Sequence, residues 1–511
     1  MHVFKISSVI MPLFLYSLNV FAQSVEVEAG QINGIEKHGI KHFLGVPYAK
    51  PPLGDLRWQT PKKIIKYNTP VNASVYGDQC MQPNAKPEDA MSEDCLNLNI
   101  WTPTSANKKL PVMVWLHGGG FKNGSNRVPG TTFATKGVVV VALNYRLGPL
   151  GFFAHTALNE HPANPGMLDM VAGIQWVKDN IKQFGGDPNN ITIFGVSAGG
   201  MAVNLMVTSE LTKGLFHKAI AQSGYATWPL PRTKAVVALN GSPHAEQMSH
   251  TLISTITDNK QTKPLLYALD AKMLVEAVEG FILPIVDGRS LIEEPGIRYL
   301  QGQQNAVDLI TGGNSFEGSV MPYSGMSERD YKDIVGFDYE AIKALYTLAT
   351  DNLNTQQMWG DNRYLLSAKV TAAAMHKVSK SSWLYYIDFV PEAFKGTAPG
   401  TSFGTTLGTA PGTTHGSDAR MIWGGHLSKN ADIKSVSLRL QHYWMNFAKY
   451  DDPTPKSQNP SEPAIEWTRY SKNIEPWLLV SSQDKVVSKQ LEKKLLALES
   501  VYLQRVVSLV N

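Results

Sequence analysis

Three short apolar runs, separated by turns and one helical stretch, constrain this chain more than any other feature of its sequence. Leu110-Pro111-Val112-Met113-Val114-Trp115-Leu116 is β-prone and ends in His117-Gly118-Gly119-Gly120. Gly137 to Tyr145, with valine at every position from 138 to 141, is a second run of the same kind. Asp169 to Phe184 then sets Ile174, Val177 and Ile181 on one helical face, Gly185-Gly186-Asp187-Pro188 stops it, and Ile191-Thr192-Ile193-Phe194 is the next strand. Such runs alternating with a helix predict βαβ units: an α/β fold with a mostly parallel central sheet flanked by helices. Val307 to Gly312 and Trp383 to Phe389 read as later strands of that sheet. Met273 to Glu279 and Asp338 to Thr350 read as helices. No polar linker divides the chain, so one catalytic domain is expected over residues 23–511.

The third run leads directly into Gly195-Val196-Ser197-Ala198-Gly199, and Gly200 to Met206 reads as the helix beyond it. Glycine on either side of the serine permits a sharp strand-to-helix turn that lifts its hydroxyl above the strand ends. A serine hydroxyl is a weak nucleophile until a base takes its proton and a third group orients that base. The attacked carbonyl also needs N–H donors for the oxyanion it becomes, and losing one costs roughly 3 kcal/mol. Gly119 and Gly120, bare backbone following a strand, are the expected oxyanion donors together with Ala198 beside the serine. His117 reads as a structural hydrogen-bonder rather than a catalyst.

The N-terminus differs in kind. Lys5 precedes the uncharged apolar stretch Ile6 to Tyr16, and Val20-Phe21-Ala22 offers a small-residue cleavage point. Residues 1–22 are thus expected to be a signal peptide, and the mature protein secreted or periplasmic. The two cysteines of the chain, Cys80 and Cys95, are expected to pair in that oxidising compartment. Closing such a loop contributes about 3 kcal/mol on the chain-entropy model. A formal charge of +4 with scattered basic residues gives no nucleic-acid footprint. No apolar run after the leader reaches the ~20 residues of a membrane span.

Further segments carry a resemblance. Gly45-Val46-Pro47-Tyr48-Ala49, Pro51 to Trp58, Ser92-Glu93-Asp94-Cys95-Leu96-Asn97-Leu98-Asn99-Ile100, His117 to Phe121, Asn144-Tyr145-Arg146-Leu147-Gly148 and Phe194 to Gly200 together resemble the type-B carboxylesterase family, the cholinesterase-like α/β-hydrolases. The resemblance implies that family's fold, with insertions at about 225–305 and 320–410 roofing the active site. It also implies the remaining catalytic residues. Glu317 in Gly312-Gly313-Asn314-Ser315-Phe316-Glu317-Gly318 matches the acid, and His415 in Thr414-His415-Gly416-Ser417-Asp418 matches the base. The order Ser…Glu…His is that of α/β-hydrolases. Asp287 or Asp418 as acid and His426 as base are the rivals. Ser223 resembles a polar neighbour of the acid, and the family pairs cysteines at positions matching Cys80 and Cys95.

The sequence also departs from the family. Val196 stands where the family commonly has glutamate, and the short Cys80–Cys95 loop lacks tryptophan. Both changes remove groups that favour a quaternary ammonium, so choline esters are not the expected substrates. The expected function is therefore hydrolysis of a small carboxylic ester through an acyl-enzyme, with no metal or organic cofactor. The alternatives are a catalytically silent binding protein of the same family, and an acyl hydrolase acting on amides or lipids. Aromatics in the insertions (Trp228, Tyr267, Phe281, Tyr323, Trp359) are pocket candidates, although core packing explains any one of them as well. Gly-Thr-Ala-Pro-Gly-Thr, repeated within 396–413, reads as a surface loop running into His415.

Overall fold

Along the run from Leu110, the side chains of Val112, Val114 and Leu116 enter one hydrophobic core, and those of Met113 and Trp115 enter another. Ile191 and Ile193 likewise face one core while Phe194 and Val196 face the other. Both faces of these strands are covered, which is why they read as unbroken apolar runs rather than alternating ones. A computed structural model describes residues 21–84, 86, 89–105, 109–233, 244–391, 411–454 and 465–510. Residues 1–20 of the expected signal peptide and most of the 396–413 repeat lie outside the described residues.

The strands that position the site are β1 Phe21–Val27, β2 Gly30–Lys37, β3 Ile40–Pro47, β4 Asn97–Pro103, β5 Leu110–Leu116 and β6 Val139–Leu143. They continue as β7 Gly186–Val196, β8 Lys218–Gln222, β9 Asp308–Asn314, β10 Ser382–Ile387, β11 Pro476–Val480 and β12 Lys485–Ser488. They form one sheet in the order β1-β2-β3-β4-β6-β5-β7-β8-β9-β10-β11-β12, with Val71–Asn72 paired to β2. From β6 to β11 every pairing is parallel; the flanking pairs are antiparallel. The expected strands are all present, and the antiparallel flanks are added to the parallel centre.

Helix α1, Pro165–Asn180, buries Met167, Met170, Ile174 and Val177 on one side of the sheet. Helix α2, Ala198–Thr208, packs against β7 and β8. Helices α3, Asp351–Gly360, and α4, Leu366–Met375, are joined by a π-helical turn, Asp361–Leu365. The opposite face is covered by α5, Ser417–Gly424, and α6, Ala431–Tyr450. Cys80 and Cys95 are disulfide-bonded and buried. Arg146 and Asp169 form a sealed bidentate pair, Nε to Oδ2 and Nη2 to Oδ1 each at 2.7 Å.

Expected helices differ in extent: that over Met273–Glu279 is observed as Ala271–Glu276, and that over Asp169–Phe184 as α1 followed by a 3-10 turn, Ile181–Phe184. The helix read over Asp338–Thr350 is limited to Tyr339–Lys343. Beyond it the Asn354 side chain accepts from the Leu348 N–H at 2.7 Å, and Thr350 caps the start of α3. Local side-chain bonds thus capture the backbone groups that a longer helix needs.

Candidate active site

Parallel strands deliver their C-terminal ends to one edge of the sheet, where open α/β folds bind ligands. His117 to Gly120 follow β5, Ser197 follows β7, Ser223 follows β8 and Glu317 lies three residues beyond β9. The expected residues thus arrive at one edge on separate strands.

Ser197 occupies the turn between β7 and α2 with φ 59° and ψ −120°. A non-glycine residue held there costs on the order of 1–3 kcal/mol, so the surroundings must enforce it. The Ser197 N–H bonds the Gln222 carbonyl at 2.9 Å, and its own carbonyl accepts from Met201 at 2.8 Å. At Gly199 a Cβ would run into the Leu116 carbonyl, so this close approach of α2 to β5 requires glycine.

The glycine loop has its carbonyls tied back. Gly118 O accepts from His117 Nδ1 at 2.9 Å, and Gly119 O from the N–H groups of Lys122 and Asn123 at 3.1 and 3.0 Å. A trans peptide sets N–H opposite C=O, so the N–H groups of Gly119 and Gly120 point away from those donors. Gly119, at φ 111°, makes this reversal possible. Ala198 is the first residue of α2, and its N–H has no helical carbonyl to bond.

His117 is structural in its contacts. Its ring stacks on Tyr145 at 4.3 Å, and the Tyr145 hydroxyl bonds the His117 carbonyl at 2.6 Å. Burial holds its pKa down at about 4 despite the bond to Gly118. The folded protein therefore refuses a proton that the unfolded chain accepts below about 6.5. Its contribution to stability is complete above that value and is lost as the pH falls toward 4, amounting to about 3 kcal/mol. His117→Gln should flatten the stability curve over this window, as denaturant titrations at successive pH values would reveal; a variant curve as steep as the wild type would refute the assignment.

Glu317 and His415 meet from 98 residues apart. His415 Nδ1 bonds Glu317 Oε2, while Oε1 accepts from Ser223 Oγ at 2.6 Å, from the Asn314 N–H at 2.6 Å and from Asn314 Nδ2 at 3.1 Å. Glu317 is wholly buried. The two loops are clasped together: Phe316 N–H bonds Thr413 O, Thr413 N–H bonds Ser315 Oγ, and His415 N–H bonds Ser319 Oγ, at 2.8 to 3.0 Å. Tyr364 lays its ring against His415 at 4.6 Å. His415 Nε2 is buried and makes no hydrogen bond among the described residues.

The rivals are engaged elsewhere. Asp418 accepts from Tyr385 and Gln222, and burial followed by the charge of Glu317 raises its pKa. Asp287 bonds Ser290 and the Ala163 N–H, and His426 bonds Gln441. Among the pocket candidates, Trp228 and Trp359 are buried, Tyr267 packs edge-on against Trp58, and Tyr323 is exposed. Phe281 lies over the glycine loop, where a Cβ on Gly120 would come within 2.6 Å of its ring. Ser315, Ser319, Thr413 and Tyr364 were not legible as site residues, because each acts through a tertiary contact.

Residues 22–498 match the model of the carboxylesterase family. The chain belongs to that family. It is 30% identical over 499 residues to the para-nitrobenzyl esterase of Bacillus subtilis (strain 168), covering 90% of this chain and 95% of that protein. It is 31% identical over 484 residues to the fumonisin B1 esterase of Sphingopyxis macrogoltabida, covering 88% and 84%. A solved PNB esterase superposes with a TM-score of 0.78 at 28% identity, covering 93% of this chain and 99% of that one. A carboxylesterase of Geobacillus stearothermophilus gives 0.77 at 26% identity, with the same coverage. This carboxylesterase-family chain thus has an α/β-hydrolase fold. Among its described residues no helix is long and apolar enough to cross a membrane.

Proposed function

We propose that this chain hydrolyses carboxylic esters through an acyl-enzyme, with Ser197 as nucleophile, His415 as base and Glu317 as the acid that orients it. The observation that carries the reading is the Glu317–His415 pair. With the Nδ1–H donated in a hydrogen bond to the carboxylate, Nε2 keeps its lone pair, and no other group among the described residues bonds it. His415 takes the Ser197 proton as Oγ bonds the substrate carbonyl carbon, and the carbonyl electron pair moves to oxygen. The N–H groups of Gly119, Gly120 and Ala198 would receive that oxyanion. Collapse expels the alcohol, which takes the proton from His415. Water then repeats the sequence on the acyl-enzyme and releases the acid.

Val196 places no charge beside the nucleophile, which supports neutral or anionic alcohols over choline. The Cys80–Cys95 disulfide supports export of one catalytic domain, residues 23–511, after loss of a leader at 1–22. Rapid mixing with p-nitrophenyl butyrate should give a burst of one p-nitrophenolate per enzyme and, after acid quench, a butyryl group on the peptide containing Ser197. No turnover on any of a panel of short-chain esters, with no acyl adduct, would overturn the reading and favour a silent binding protein.

A further inference from the structure

Arg363 sits on the π-helical turn between α3 and α4, a kind of helix irregularity often found at functional sites. It is only 3% exposed. Arg57, Arg146 and Arg298 are comparably buried, and each is paired with a carboxylate: Glu93, Asp169 and Glu210. Arg363 is different. Among the described residues no carboxylate is paired with it, and its Nε is buried without a hydrogen-bond partner.

Its surroundings are aromatic instead. The guanidinium carbon lies 4.1 Å from the ring centre of Tyr225, 4.6 Å from Trp228, 5.3 Å from Trp359 and 5.7 Å from Tyr364. Ring faces attract a cation, and the acceptors the cage adds, the Tyr225 and Tyr364 hydroxyls, are neutral and leave the charge without a counter-ion. Glu317 is committed to His415, Ser223 and Asn314, while Asp361 bonds Gln357 through Oδ1, has no hydrogen-bond partner at Oδ2 and forms no ion pair with Arg363 among the described residues. Burying a guanidinium without a counter-ion is costly, so the site is electrostatically complete only when an anion enters it.

The cage adjoins the candidate catalytic residues. Tyr364 is also the residue whose ring lies against His415. Tyr225 follows Ser223 by two positions, is buried, and packs edge-on against Tyr364 at 5.9 Å. The cage therefore borders the base. We propose that Arg363 receives a carboxylate carried by the ester substrate, making this enzyme selective for anionic esters. The proposal rests on the ester-hydrolase reading and names its substrate class. Tyr225 and Trp228 hold the guanidinium plane, and the carboxylate takes the N–H donors that the aromatic cage leaves free.

Two isosteric pairs test it and locate the carboxylate. p-Nitrophenyl hemisuccinate against p-nitrophenyl 4-methylpentanoate places the charge on the acyl part, and 4-acetoxybenzoate against 4-isopropylphenyl acetate places it on the alcohol part. The measured quantity is the kcat/KM ratio of charged to neutral ester, compared between wild type and Arg363→Met. For one pair this ratio should fall about 10- to 100-fold, the range for losing a charged hydrogen-bonded partner, and Arg363→Lys should restore part of it. Whichever pair responds assigns the side. Should Arg363→Met fail to fold, inhibition of wild-type turnover on the neutral ester serves instead: benzoate should compete more strongly than benzamide. Unchanged ratios in both pairs, or equal inhibition by benzoate and benzamide, overturn the proposal alone. Absence of wild-type turnover on neutral and charged esters alike would overturn the ester-hydrolase reading, and this one with it.

Discussion

Ser197→Ala is expected to lower kcat on every ester substrate by on the order of 10⁶-fold and to end covalent labelling by a fluorophosphonate probe. The loss is large because the triad works as a unit: without Oγ no acyl-enzyme forms, and only the oxyanion donors and substrate binding remain. Stability should change little. Ser197 is held at φ 59° by its backbone bonds to Gln222 and Met201, and alanine keeps both. An unfolding midpoint within a few degrees of wild type would separate lost chemistry from lost folding. Persistent labelling of the variant would sink the nucleophile assignment.

That serine was legible in the sequence for a local reason. A strand, a glycine-flanked turn and a helix are contiguous, although the bond that helps hold the strained Ser197 comes from Gln222 on the next strand. The glycine loop was legible for the same reason, since His117-Gly118-Gly119-Gly120 directly follows β5. Glu317 and His415 are a different matter. Nothing local tells a glutamate beyond β9 that it will meet a histidine 98 residues later, and family resemblance supplied both. The clasp of Ser315 and Ser319 on the His415 loop, and Tyr364 against its ring, are tertiary contacts of small polar or aromatic residues with no distinguishing spacing. Arg363 left no mark either, because an arginine in a helix reads as a solvated charge until its burial is known. The helix expected over Asp338–Thr350 is too long because of capping: periodicity extends it, but Thr350 and Asn354 claim the backbone groups it would need.

Glu317→Gln tests the part of the site that resemblance supplied, and should cost about 10⁴-fold in kcat, the scale of replacing a triad carboxylate by its amide. The direction follows from the donors around it. The Asn314 N–H and Asn314 Nδ2 both aim at the Oε1 position, which must therefore remain an acceptor. The amide nitrogen of glutamine is then forced into the Oε2 position, facing His415 Nδ1. Two donors cannot share that bond, so the imidazole moves its proton to Nε2 and loses the lone pair that would accept the proton of Ser197. The variant should retain its fold, since the volume and the Ser223 and Asn314 contacts are kept. Its proton NMR spectrum should lack the downfield His415 Nδ1–H resonance of the wild type. A kcat within tenfold of wild type, with that resonance still present, would remove Glu317 from the triad and return attention to Asp418, whose carboxylate lies on the other side of Asn314 at 3.4 Å.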